Sequence, residues 1–286
     1  VAINATEYDY VIVGAGSAGC VLAARLSEDP RVTVCLLEAG GPDTSAFIHA
    51  PLGFAATAPL GIFNWNYESV PQPGLGGRRG FAPRGKVLGG SSSLNAMVYT
   101  RGNAADYDRW ADHGNPGWSY RDVLPLFKQS ENNQCFGATD LRGVGGPLNV
   151  CYLRSPSPLN QAFIEACESQ GLPRTPDYNG TQQWGVAPAQ VTQKDGERWS
   201  AAKGYLTPHR HRSNLTVITQ AHTHKVLLDS SEVQAAEVRQ LIAEQEVEKQ
   251  RAGHLPTLDL VAAHGRFASV GGSLYDVTVP EEKYTQ

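Results

Sequence analysis

Residues 8–40, YDYVIVGAGSAGCVLAARLSEDPRVTVCLLEAG, restrict what this chain can fold into more than any other stretch of it. Residues 10–13 form a short apolar run suited to a buried parallel strand. Gly14, Gly16 and Gly19 follow where such a strand must turn sharply into a helix. Each glycine has its own task. Gly14 permits the tight turn, Gly16 lets the backbone approach a pyrophosphate, and Gly19 lets the helix pack closely on the strand. The spacing predicts a helix over 20–26, with its N-terminus aimed at negative charge. A second apolar strand is predicted over 32–37 and ends in Glu38, about 20 residues beyond the glycines, where an acid is expected to hydrogen-bond a ribose hydroxyl. Strand, turn, helix, strand and acid in this order predict a pocket for an adenine dinucleotide. The motif alone does not separate FAD from NAD. Glu38 argues against a cofactor with a phosphate on that ribose oxygen, because two negative charges would repel.

The chain has 286 residues, 41% hydrophobic and 18% charged, which permits a sizeable core in one large domain or two. Its 24 Lys and Arg are offset by 28 Asp and Glu, and no long basic run occurs, so nucleic acid is not expected as a partner. Cys20, Cys35, Cys135, Cys151 and Cys167 are odd in number, scattered and free of CxxC spacing. That usage suits reduced, buried thiols and a cytoplasmic setting better than a disulfide frame or a zinc site. No basic leader precedes an apolar core at the N-terminus and no run approaches the ~18 apolar residues of a membrane span, which leaves peripheral membrane contact open. Asn4, Asn179 and Asn214 each begin an Asn-x-Thr triplet, a pattern without meaning in a cytoplasmic chain.

A second glycine-rich segment lies at 81–107, FAPRGKVLGGSSSLNAMVYTRGNAADY. Gly85, Gly89, Gly90 and the serines at 91–93 again allow close backbone approach and add hydroxyl donors, and Arg84 and Lys86 add cations. A flexible linker is also rich in Gly and Ser. The flanking cations and the apolar run 97–99 favour a cradle for an anionic cofactor. This segment resembles the first signature of the glucose-methanol-choline (GMC) family of FAD-dependent oxidoreductases, at Gly85, Lys86, Leu88, Gly89, Gly90, Ser91, Ser92, Leu94, Asn95, Tyr99, Gly102 and Asp108. The resemblance continues through 48–54, 64–68, 117–131, 146–150 and 190–206, and covers roughly residues 8–228. Within the family, the chain is most similar to bacterial alcohol and choline dehydrogenases that pass electrons to an acceptor other than oxygen.

The resemblance implies roles for particular residues. Gly14, Gly16, Ser17, Ala18 and Gly19 hold the pyrophosphate, Glu38 with Ala39 the adenosine ribose, and Val87 with Gly90 the flavin side of the pyrophosphate. Asn95, Ala96, Met97 and Val98 line the isoalloxazine, and the backbone of Val226, on a strand, meets the adenine. From periodicity alone Val226 reads as an ordinary core strand residue. Some family members attach flavin covalently through a signature histidine. The matching residue here is Leu94, so the resemblance implies non-covalent FAD.

The family's catalytic histidine lies in the C-terminal part of a chain about twice as long. From Asp229 onward the resemblance lapses, and the expected strand pair and second signature are not found. The tail, 230–286, reads either as an amphipathic helix with Val233, Ala236, Leu241 and Val247 on loosely helical spacing, or as a distorted strand pair. A base for alcohol oxidation must reach the substrate hydroxyl while flavin N5 takes the hydride, and a neutral imidazole suits that role near pH 7. His254 and His264 lie in the tail, and His49, His113, His209, His211, His222 and His224 occupy positions with no catalytic match, so no catalytic residue is assigned. HRHR at 209–212 reads as a basic turn before a strand at 215–219, and HTH at 222–224 as histidines on one strand face, without the partners a zinc set needs. Trp65, Trp110, Trp118, Trp184 and Trp199 read mostly as packing.

These readings predict an α/β architecture: a doubly wound, Rossmann-like FAD-binding domain at 1–154 that returns at 209–229, with the beginning of an α+β substrate domain at 155–208. SPSP at 155–158 and PRTP at 173–176 mark the connections. The function implied is oxidation of a small primary alcohol to an aldehyde with FAD, electrons passing to a non-oxygen acceptor of unknown identity. Three other readings stay open: a catalytically incomplete FAD-binding module, a hydroxynitrile lyase that keeps FAD without redox use, and a subunit whose tail docks a partner chain carrying the histidine. A sheet lacking its later strands exposes apolar edge, which predicts an oligomer or aggregation.

Overall fold

The computed structural model describes residues 7–226 and 263–264. β1 (Tyr10–Val13), α1 (Ser17–Leu26) and β2 (Val34–Leu37) follow one another as the periodicity predicts. β1 and β2 run parallel, with Tyr10 opposite Val34 and Val13 opposite Leu37. The strand Leu215–Ile218 returns from far along the chain and lies parallel to β2 on its other edge, Leu215 opposite Val34. Ala263–His264 pairs antiparallel with β1. The sheet order is therefore 215–218, β2, β1, 263–264. This is a Rossmann-like α/β layer, as expected. α1 packs on it through Cys20, Ala23 and Ala24, against Ile12, Val34 and Leu36. The small helix residues bring backbone close to backbone, and Tyr205, Leu206 and Leu215 complete the core.

The element ends differ from expectation for local reasons. α1 begins at Ser17, not 20, because extended Gly16 (φ −70°, ψ −168°) already serves as its cap. Ser17 and Ala18 are thus part of the first helical turn. β2 begins at Val34, not 32, because Val32 is held in a turn: its N–H donates to the Asp29 carbonyl (3.0 Å) and its carbonyl accepts from Asn214 Nδ2 (2.8 Å). The later strand ends at Ile218, not 219.

A second sheet joins Glu131–Asn133 to Leu148–Tyr152 in parallel, and Leu148–Tyr152 to Gln190–Val191 antiparallel. It links residues on both sides of the 154/155 boundary. Helices Ala104–Asp112, Tyr120–Ser130 and Pro158–Ser169 start at Asn103, Ser119 and Ser157, each of whose side chains accepts a hydrogen bond from a first-turn N–H. The SPSP connection thus ends by opening a helix, with Pro158 at its first position. No helix among the described residues is long and apolar enough to cross a membrane.

Two expectations fail past residue 218. Val226 is on no strand; it lies in irregular chain and is 46% exposed. His222 and His224 are likewise off any strand, and their rings lie tilted against each other at 4.7 Å instead of sharing a strand face. The reason is where the ladder stops: Ala221 N–H donates to the Glu38 carbonyl and Gln220 N–H to that of Gly40, and β2 offers no backbone beyond. The tail expectations at 230–286, with His254, Val233, Ala236, Leu241 and Val247, lie outside the described residues apart from 263–264.

Candidate functional site: a cradle between two glycine turns

The β1–α1 turn is held from below. Gly14 takes a left-handed conformation (φ +90°), and its N–H donates to the Leu37 carbonyl at 2.7 Å. A Cβ on Gly19 would stand 2.0 Å from the Gly14 carbonyl oxygen, so only glycine lets α1 sit this close to the turn. Glu38 is buried, and its carboxylate accepts from the N–H groups of Ala15 and Gly40, each at 2.8 Å. Glu38 thereby joins the glycine turn to the end of β2, and its bond to Gly40 spans Ala39.

The second glycine segment folds onto the first. Gly89 N–H donates to the Ala15 carbonyl (2.7 Å) and Leu88 N–H to that of Gly41 (3.1 Å), while Val87 bridges to Gly41. A Cβ on Gly90 would lie 2.7 Å from Gly16 Cα, and one on Gly40 would strike Lys86 and Val87 backbone. The two turns therefore meet backbone to backbone. Over Gly14 and Gly16, by contrast, an added Cβ meets no atom within 4 Å. This open space faces the uncapped N-terminus of α1, where Ser17 and Ala18 are exposed and no acidic side chain occupies the first turn. Free N–H groups, the helix dipole and bare glycine backbone fit a diphosphate.

Beyond the second turn the chain passes Asn95 to Val98. Asn95 and Ala96 are exposed, Val98 is 56% exposed, and Met97 is turned inward at 3% exposure. Met97 is therefore packed inside, and the exposed residues of this stretch are Asn95, Ala96 and Val98. Met97 adopts φ +63°, stabilised by its N–H donating to Asn95 Oδ1 (3.0 Å) and by its carbonyl accepting from Thr192 N–H (2.8 Å). Leu94, in place of a histidine, has no atom able to bond a flavin. Lys86 lies over the Trp65 ring at 4.5 Å, and Trp65 stacks on Tyr67 and meets His222 edge-on. Val226 is not brought into contact with the two turns by any strand.

Two features escaped the sequence reading. Glu131 is fully buried, bound by Arg101 Nη2 at 2.7 Å and Arg142 Nη2 at 2.5 Å, and Arg142 also pairs with Asp177 at 2.8 Å. Arg142 reaches Gln190 as well, so this knot of charge ties the end of the second glycine segment to the second sheet. Arg198, 1% exposed, reaches Ile48 carbonyl, Ser92 carbonyl and Asn95 Oδ1. No local pattern signals either feature, because the partners are far apart in the chain. Burial pushes the Cys20 thiol up to about 12 and the Cys35 thiol to about 11, which disfavours their thiolates. Burial also lowers His209, and His113 Nδ1 contacts the Arg109 carbonyl. Among the described residues no group of His, Cys, Asp and Glu is placed to hold a metal ion.

The fold and cradle define a dinucleotide-binding α/β protein. The comparisons narrow the class. Residues 8–265 match the family described as GMC oxidoreductase, which extends past the motif resemblance into the tail. The chain belongs to that family, and its cofactor is FAD. It is 48% identical over 222 residues to "Alcohol dehydrogenase [acceptor]" of Pseudomonas putida, covering 78% of this chain and 40% of that protein. It is 43% identical to "Oxygen-dependent choline dehydrogenase" of Vibrio vulnificus, covering 91% of this chain and 47% of that one. Among solved structures, pyridoxine 4-oxidase from Mesorbium loti superposes with a TM-score of 0.71 at 39% identity, covering 77% of this chain and 43% of that chain. Formate oxidase of Aspergillus oryzae superposes with a TM-score of 0.72 at 25% identity, covering 80% and 41%. The chain thus spans less than half the length of these relatives.

Proposed function

We propose that the protein oxidises a primary alcohol to an aldehyde using non-covalent FAD and passes the electrons to an acceptor other than oxygen. The observation that carries the reading is the open space over Gly14 and Gly16, closed below by Gly90 and framed by the N-terminus of α1. Similarity to an acceptor-dependent alcohol dehydrogenase supports the substrate class and the acceptor. When bound, the flavin would supply a hydride acceptor for the alcohol carbon, and the hydroxyl proton would go to a base. This chain's residues do the binding and orienting. The α1 N-terminus and glycine backbone hold the diphosphate, Glu38 orients the ribose, and the exposed Asn95, Ala96 and Val98 face the ring. Substrate binding and the base are not assigned to any described residue.

The test is an anaerobic absorbance spectrum of the protein with FAD, before and after a panel of primary alcohols. Bleaching of bound flavin supports the dehydrogenase, and reoxidation by a quinone or dye without peroxide supports the acceptor. Bound flavin that stays oxidised with every alcohol would instead support an FAD-binding module, and cyanide release from mandelonitrile without bleaching would support a lyase.

A further inference from the structure

Arg198 is a buried cation with no anion. The residue is 1% exposed, and the three hydrogen bonds of its guanidinium all go to neutral acceptors: Nε to Ile48 carbonyl (2.8 Å), and Nη1 to Ser92 carbonyl (3.1 Å) and Asn95 Oδ1 (2.9 Å). Nη2 is buried without any partner, the single side-chain atom in that state among the described residues. The adjacent Glu197 does not compensate it, being exposed and paired with Lys203. Burial pulls the guanidinium down to about 10, with no charge partner opposing the shift, so it remains protonated at neutral pH. The contrast with Arg142 is direct. That guanidinium is equally buried but holds Glu131 and Asp177. Burying a charge without a counter-charge costs several kcal/mol as a rule, and a neutral side chain would serve three carbonyl-type acceptors at lower cost.

The position of Arg198 suggests what the charge is for. Ser92 and Asn95 belong to the segment that closes the cradle, and Ala201 N–H donates to Ser92 Oγ from the same side (3.0 Å). One uncompensated positive charge therefore stands directly behind the turn that holds the cofactor. We propose that Arg198 is a positioning residue whose fixed positive charge, set behind Ser92 and Asn95, favours the negative charge that two-electron reduction places on the bound flavin. This rests on the reading of the cradle as an FAD site. Fixed charge in a water-excluded site acts without reorganisation, so its effect falls on the reduced state far more than on the oxidised one.

The test is the midpoint potential of FAD bound to the whole chain, measured by anaerobic dye-coupled reduction, for the unaltered protein, Arg198→Lys, Arg198→Met and Arg198→Ala. Bound FAD in the unaltered protein should be easier to reduce than free FAD, a result that needs no variant to fold. Arg198→Met should lose about tenfold in preference for reduced over oxidised flavin, about 30 mV for a two-electron couple. Arg198→Lys should keep most of it, and added guanidinium ion should restore part of the loss in Arg198→Ala. A potential at or below that of free FAD in the unaltered protein overturns the proposal. So does an unshifted potential in Arg198→Met with FAD still bound, which would mark the arginine as a purely structural tie, or one serving the diphosphate if FAD affinity fell. Failure of the unaltered protein to bind FAD would instead sink the functional reading itself.

Discussion

The cradle and the charge knot sit at opposite ends of the same segment, and they are built from opposite materials. Around Gly14, Gly16 and Gly90 the structure is main chain against main chain, with Glu38 the one buried charge among the predicted site residues. Around Glu131 it is side chain against side chain, two guanidiniums closing on one carboxylate. The difference teaches where tolerance lies. A backbone-built site fails when volume is added, whereas an ion-built one fails when charge is removed.

The largest effect is expected at Glu131. Glu131→Gln leaves Arg101 and Arg142 without their shared anion and should destabilise the fold by about 3–5 kcal/mol in urea unfolding. Retained stability would show that the knot is not the clasp its geometry describes. Gly16→Ala should behave in the opposite way. Its Cβ meets no protein atom, so the melting temperature of the FAD-free protein should hold. The methyl occupies the cradle, and FAD affinity by flavin fluorescence should fall by about one to two orders of magnitude, the equivalent of ~1.4–2.8 kcal/mol. If Gly16→Ala binds FAD normally, the open space over the turn is not the diphosphate site.

Glu38→Gln sharpens the comparison from within the cradle. It replaces a carboxylate that accepts from Ala15 and Gly40, and hydrogen bonds to a charged group contribute about 1.5–3 kcal/mol. Both FAD affinity and stability should drop, unlike Gly16→Ala, and isothermal titration beside thermal unfolding separates the two. The last effect is a pH trend. Burial raises Cys20 to about 12 and Cys35 and Cys135 to about 11, above the ordinary range of a thiol. Above roughly pH 9 the folded chain then binds more protons than the unfolded one, so stability is complete below that pH and declines as pH rises toward 11. Urea midpoints at pH 8 and pH 10.5 check this, and replacing Cys20 with Ala should flatten the trend.

Much of the cradle was legible because glycine records a backbone need in the residue itself. Gly14, with its left-handed φ, and Gly19, with a carbonyl where a Cβ would stand, are visible in sequence as residues with no substitute. The charge knot was not legible. Glu131 and Arg142 are ordinary surface types by composition, and Arg101, Asp177 and Gln190 become their partners only through chain return. Val226 failed for the converse reason. Its apolar run reads as strand, yet the partner backbone ends near Gly40, and a strand without a partner is irregular chain.

What the amino-acid order determined by itself is the dinucleotide half of this protein: strand, glycine turn, helix, strand and acid, all set by contacts within about one supersecondary unit. Only the tertiary structure decided that Gly90 closes on Gly16, that Met97 turns inward, and that Arg198 is buried behind Asn95 without a counter-ion. Those are properties of residues up to 150 positions apart, as Arg198 and Ile48 are, and burial and charge pairing exist only once the chain has brought them together.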